Sequence, residues 1–342
     1  MTRRHLQLSL AVLWLLDGAL QCQPSMFTSR FAAMTLAPAG QGLTKAVAAP
    51  LHLVVDLVSS HPLLANAGFA LTQILLGLGL LVRRFSRVAL AGSVVWATMV
   101  WALGEGFGGI FTGATLRSGA PGAALLYVVI ALLAWPSDVR AVDEPPPWWS
   151  LHAWCALWLA GAGWQLVGAN DSAMSFTMTL RSAASSAPQW ISAIDRHLAG
   201  RRLPGWSGAV AVALEVLVAL WGLVPGWTRR VSLGIGAVVA LTSWFLFEGL
   251  GDLTSGRSTD PNSGPLIVLL AVAALSAASR PLGTVATVPT TSTPAATFDS
   301  TVDSNVRLDG RGVGALARCS SLGRIRPTCS APTARSARSR GP

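Results

Sequence analysis

ALTQILLGLGLLVRRFSRVAL runs from Ala70 to Leu90, and ALEVLVALWGLVPGWTRRVSL runs from Ala213 to Leu233. Each reads as an apolar helix with a polar residue near its start, a stripe of small residues, an Arg-bearing turn and the beginning of a second apolar helix. A helix that is apolar all round is buried, either in a large protein core or in lipid. Composition points to lipid: 52% of the 342 residues are hydrophobic and 12% are charged, where a soluble domain carries about 25% charged residues. Mean hydropathy is +0.53.

A helix that crosses a bilayer needs about 20 apolar residues, with about 17 as the lower limit. Eight stretches qualify as candidates: 6–22, 63–82, 88–105, 120–136, 150–168, 207–225, 231–250 and 264–279. The first, LQLSLAVLWLLDGALQC, follows the basic start TRRH and has features of a signal peptide. LWLLDGALQ (Leu13 to Gln21) nevertheless matches LWLAGAGWQ (Leu157 to Gln165), deep inside the chain. That match favours a membrane helix for the first stretch too. Further matches pair SMFTSR (Ser25 to Arg30) with MSFTMTLR (Met174 to Arg181), and SGAPGAALLYVVIALLAWP (Ser118 to Pro136) with NSGPLIVLLAVAALSA (Asn262 to Ala277), at offsets near 142–149 residues.

The expected fold is therefore all-α: a polytopic integral membrane protein with about eight transmembrane helices in two parallel-repeat four-helix bundles. The expected boundaries are 1–140 for the first repeat, 141–149 for a Pro-rich cytoplasmic linker, 150–282 for the second repeat and 283–342 for a disordered Arg-rich cytoplasmic tail. Arg3, Arg4, Arg83, Arg84, Arg87, Arg140, Arg229, Arg230 and Arg280 fall on one side of eight spans. The positive-inside rule makes that side cytoplasmic, with both termini inside a bacterial plasma membrane. Arg196, Arg201 and Arg202 fall outside, in a long loop where the rule has less force. The two long outer loops, 23–62 and 169–206, are expected to hold amphipathic helices at PLHLVVDLVSSH and PQWISAIDRHL.

The net charge of +10 sits between apolar runs and in the tail, without an aromatic-interleaved basic surface, so no nucleic-acid partner is expected. The partners implied are the bilayer, a small-molecule ligand and other subunits of a membrane complex. None of Cys22, Cys155, Cys319 and Cys329 forms a CxxC pair, and no metal or cofactor motif appears.

Ionisable and amide residues within the spans mark candidate ligand-binding positions. They are Asp17, Gln21, Gln73, Glu105, Gln165, Glu215 and Glu248. WALGEGFGGIFTG (Trp101 to Gly113) and WFLFEGLGDLTSG (Trp244 to Gly256) repeat the same Trp, Glu and Gly pattern. At 1.5 Å per residue, Glu105 lies about 26 Å from the cytoplasmic start of its helix, near the outer interface. Its glycines permit close approach of a backbone or ligand. Pro121 and Pro265 suit the first turn of the next helix. Trp101 and Trp244, one turn below, are candidates for a pocket floor. The alternative reading makes both glutamates interfacial residues that cap loop amides or pair with Arg117 or Arg257. For Glu215, and for Asp17 (whose counterpart is Gly161), the alternative is an interhelical hydrogen bond.

The polar residue, small-residue stripe and Arg turn of the two segments quoted at the start resemble the DoxX-like superfamily. The resemblance implies a compact four-helix membrane bundle, here in tandem. The whole chain also resembles uncharacterised actinobacterial polytopic membrane proteins with LLDG near the start and GEGxGG in the middle. The superfamily's namesake is associated with a quinone-linked thiosulfate oxidoreductase. That chemistry is not carried over, because this chain has no redox cysteine pair. Three functions remain open: binding or transport of a small molecule through outward-facing polar pockets, a redox partner holding quinone among Trp101, Trp244 and the glutamines, and a structural subunit.

Overall fold

The computed structural model describes residues 1–136, 141–166, 172–201 and 204–278. The expected tail, 283–342, lies outside the described residues. All of the described residues fall within one compact unit, Met1–Gly283. They are helical throughout, without a strand among them.

The principal helices are α1 (Arg3–Gln21), α2 (Lys45–Ser60), α3 (Pro62–Leu81), α4 (Ser86–Leu103), α5 (Ala123–Leu133), α6 (Ser150–Leu166), α7 (Ala173–Ala184), α8 (Gln189–Ala199), α9 (Ser207–Leu223), α10 (Trp227–Leu246) and α11 (Ser263–Ala278). α3, α4 and α10 are long and apolar enough to cross a membrane by length and composition. Packing follows two closed rings: α1, α3, α4 and α5 form the first, and α6, α9, α10 and α11 the second, with α5 and α11 touching between them. Small residues set the closest approach. A methyl group on Gly77 of α3 would lie 2.7 Å from Leu15 Cγ and 3.0 Å from the Ala11 carbonyl of α1.

The outward faces are apolar: Leu71, Leu75, Val88, Val95 and Val238 are all more than half exposed. A continuous surface of this kind marks a lipid or protein contact. The polar side chains instead turn inward, where Gln7, Gln21, Asn66, Ser93 and Gln165 are buried. At one end of the rings, guanidinium groups satisfy carbonyls that a helix C-terminus leaves open. Arg4 donates to the Leu80 and Leu81 oxygens of α3, and Arg229 to the Gly222 and Leu223 oxygens of α9.

One span departs from expectation. The stretch 120–136 yields only α5, 11 residues with a rise of about 16 Å, half the hydrocarbon thickness. Gly119 and Gly122 adopt φ of +98°, and Gly122 is the N-cap, so the chain before Ala123 turns rather than winding. Pro121 therefore precedes its helix, whereas Pro265 is the third residue of α11. The long loops contain the two expected amphipathic helices, α2 and α8. A third, α7, packs against α8.

Candidate functional site

The glutamate-glycine segments fold alike. The Trp101 indole N–H donates to the Pro121 carbonyl at 2.7 Å, and the Trp244 indole to the Pro261 carbonyl at 2.7 Å. Glu105 Oε1 accepts the Ala124 N–H at 3.0 Å. Glu248 accepts the Ser263 N–H at 3.2 Å and the Ser263 hydroxyl at 2.5 Å. Each carboxyl group therefore caps the first turn of the following helix, satisfying a donor that an N-terminus leaves open. The glycines make this reach available. Gly108 and Gly251 hold φ of +61° and +66°, and a Cβ on either would overlap the Pro121 or Pro261 carbonyl.

Sequence left the partners of the glutamates and the role of the two tryptophans open. The glutamates find helix amides rather than Arg117 or Arg257. Trp101 and Trp244 pin the loop that follows, and neither lines the cavity described below. Between α10 and α11, the loop ending in Asn262 folds around Asp260. Its carboxylate takes the Thr259 hydroxyl at 2.8 Å and the Asn262 N–H at 2.7 Å. Burial pushes the Asp260 carboxyl above its ordinary range against these two bonds.

In the first ring the polar residues pair among themselves. The Gln21 amide donates to Asn66 Oδ1, and Asn66 Nδ2 donates back to the Gln21 carbonyl at 2.8 Å, joining α1 to α3. Asp17 is 1% exposed, with the Tyr127 hydroxyl beside it. Gln73 is buried one turn away from Ala70, and its Oε1 has no hydrogen-bond partner among the described residues.

The second ring is organised around a cation that comes from the first. Arg117, in the loop between α4 and α5, packs with Leu116 against α6 and α10. Its guanidinium donates to Gln165 Oε1 and to the Ser175 hydroxyl at 3.2 Å, and lies 3.8 Å over the Phe176 ring. The Gln165 amide then donates to Glu215 Oε1. Glu215 is 5% exposed, and its other oxygen, Oε2, has no hydrogen-bond partner among the described residues. Beside this relay lies a cavity of about 260 Å³. Arg117, Glu215, Glu248, Ser243 and Ser263 form its polar lining, and Trp158, Phe176, Phe247, Val239 and Ile267 are among its apolar walls.

Side-chain volume accounts for the placement of the cavity. In the register that matches Gln73 with Glu215, Phe69 corresponds to Ala211. In the register that matches Trp101 with Trp244, Trp96 corresponds to Val239. Phe69 and Trp96 pack with ring centroids 5.6 Å apart, and Trp14 and Tyr127 at 4.5 Å. Ala211 and Val239 line the cavity instead. Gly161, at the position of Asp17, completes the exchange: a Cβ there would sit 3.2 Å from Glu215 Oε2.

Of the residues expected from sequence, the structure brings Glu215 and Glu248 to the cavity and places Gln165 directly behind Glu215. Gln21, Gln73, Asp17 and Glu105 belong to the interior or loops of the first ring. Sequence reading did not assign Asn66 to a site, and it named Arg117 only as a partner open to Glu105 or Glu248, not to Gln165. No family model, curated protein or solved structure matches the chain.

Proposed function

We propose that this chain is an eight-helix integral membrane protein, built as two four-helix repeats, that binds a small organic molecule in the cavity of its second ring. The apolar outer faces and inward polar side chains support insertion in a bilayer. The like folding of the two glutamate-glycine segments supports the tandem reading, and the resemblance to the DoxX-like superfamily fits it. In this assignment the first ring is the filled, structural partner, and the loop carrying Arg117 ties the two together.

The observation that carries the binding assignment is the joint presence of free volume and an unsatisfied buried acceptor. Cavities flanked by convergent polar groups within apolar walls are the usual form of a small-molecule site, and a buried acceptor without a partner costs about 1–3 kcal/mol. A ligand that donates to Glu215 Oε2 removes that cost.

The test fills the volume. Val239→Trp reproduces the residue of the first ring at the matching position. Mass spectrometry of small molecules that co-purify with the wild-type protein in mild detergent should reveal a species absent from the Val239→Trp protein at equal yield. Identical small-molecule content in the two proteins would remove the assignment.

A further inference from the structure

We infer that the second-ring cavity takes a lipophilic ammonium ion, an amine on an apolar body, which reaches it sideways from the bilayer between α9 and α10. This inference rests on the reading of the cavity as a binding site.

The route follows from the lining. Val238 lines the cavity yet is 63% exposed, and it lies midway along α10 on the apolar outer face. Thr242, one turn further on, is also exposed and also lines it, while Ala211 and Leu214 contribute from α9. The mouth therefore opens on the face that the proposed topology gives to lipid. A ligand already dissolved in hydrocarbon meets this opening without crossing the outer loops.

The head group follows from the polar groups at the deep end. Two carboxylates, Glu215 and Glu248, line the cavity with one guanidinium, Arg117. Arg117 is committed to Gln165, Ser175 and the face of Phe176. Glu248 is committed to Ser263. Glu215 Oε2 keeps an open acceptor position. An ammonium N–H completes that oxygen and forms an ion pair with it. In a low-dielectric site that attraction is far stronger than in water. Trp158 and Phe247 line the cavity, and aromatic rings are the side chains that attract organic cations. A carboxylate or sulfate head would bring that oxygen no donor, and a hydroxyl head would supply one bond and no charge.

The full-length protein in phosphatidylcholine nanodiscs is titrated with radiolabelled dodecylamine, dodecanol and dodecanoate, which share one chain and differ in head group. Dodecylamine should bind at least tenfold more tightly than either of the others. Glu215→Gln should reduce its affinity at least tenfold, and Val239→Trp should abolish it. Benzylamine, which stays in water, separates the two sources of an amine and should bind more weakly than dodecylamine. Equal binding of all three chains, lost in Val239→Trp, would overturn the ammonium assignment while leaving the cavity a binding site. Dodecylamine binding untouched by Val239→Trp would overturn both. Benzylamine as tight as dodecylamine would overturn the bilayer route. Failure of every chain to bind would overturn the inference, and the co-purification experiment would then decide the cavity reading by itself.

Discussion

Replacing Glu248 with alanine removes the cap of α11. Its carboxylate holds the Ser263 N–H at 3.2 Å and the Ser263 hydroxyl at 2.5 Å, and the residue is 7% exposed. Loss of an N-terminal cap costs about 0.5–2 kcal/mol. A buried donor left without a partner brings a desolvation penalty of about 1–3 kcal/mol. These two figures describe the same broken bonds and do not add in full, so a loss of about 2–3 kcal/mol is expected. Glu248→Gln keeps an acceptor oxygen and should lose less. The expected order of apparent melting temperature is therefore wild type, then Gln, then Ala, with most of the drop between Gln and Ala. Thermal unfolding in nanodiscs, followed by the near-ultraviolet signal of the tryptophans, measures it. Glu105→Ala should behave similarly through Ala124. An alanine variant melting with the wild type, or a glutamine variant as damaged as the alanine one, would refute the capping role.

Gly108→Ala and Gly251→Ala should each cost at least about 2 kcal/mol, because the residue is held at positive φ and the new methyl overlaps a proline carbonyl; folded yield and thermal unfolding report this. Asp195 of α8 is fully buried, and burial raises its carboxyl from 3.8 to about 6. Its neutral form favours the folded state, so this contribution is complete below pH 3.8 and is lost as pH rises through about 6. Melting temperature measured across that window should fall in the wild type and fall less in Asp195→Asn. For topology, Phe111→Cys and Thr254→Cys, in a background without native cysteines, should both react with a membrane-impermeant maleimide from outside the cell. Arg84→Cys should react only after permeabilisation. Labelling of Phe111→Cys and Thr254→Cys from opposite faces would contradict the parallel-repeat arrangement.

Periodicity and composition sufficed to place most of the helices, though not α7 or the late start of α5, because an apolar run of helical length has few alternatives once charge is scarce. They also placed Glu105 and Glu248 at helix ends, since the flanking glycines mark where a helix stops. Sequence left the partners of those glutamates open between amides and arginines, and a local motif cannot choose between them. The choice depends on where Ala124 and Ser263 come to rest after the intervening loop has turned. Arg117 is the clearest case of the limit. It belongs to the first half by chain order, yet it completes the second ring through Gln165. The cavity is a further case. Val239 and Trp96 look equally ordinary in an apolar helix, and free volume is a property of four helices summed in space. The sequence thus determined which apolar segments are helical and where each carries its polar residues. Tertiary packing decided which polar groups satisfy one another and which interior was left unfilled, because both depend on distances between residues far apart in the chain.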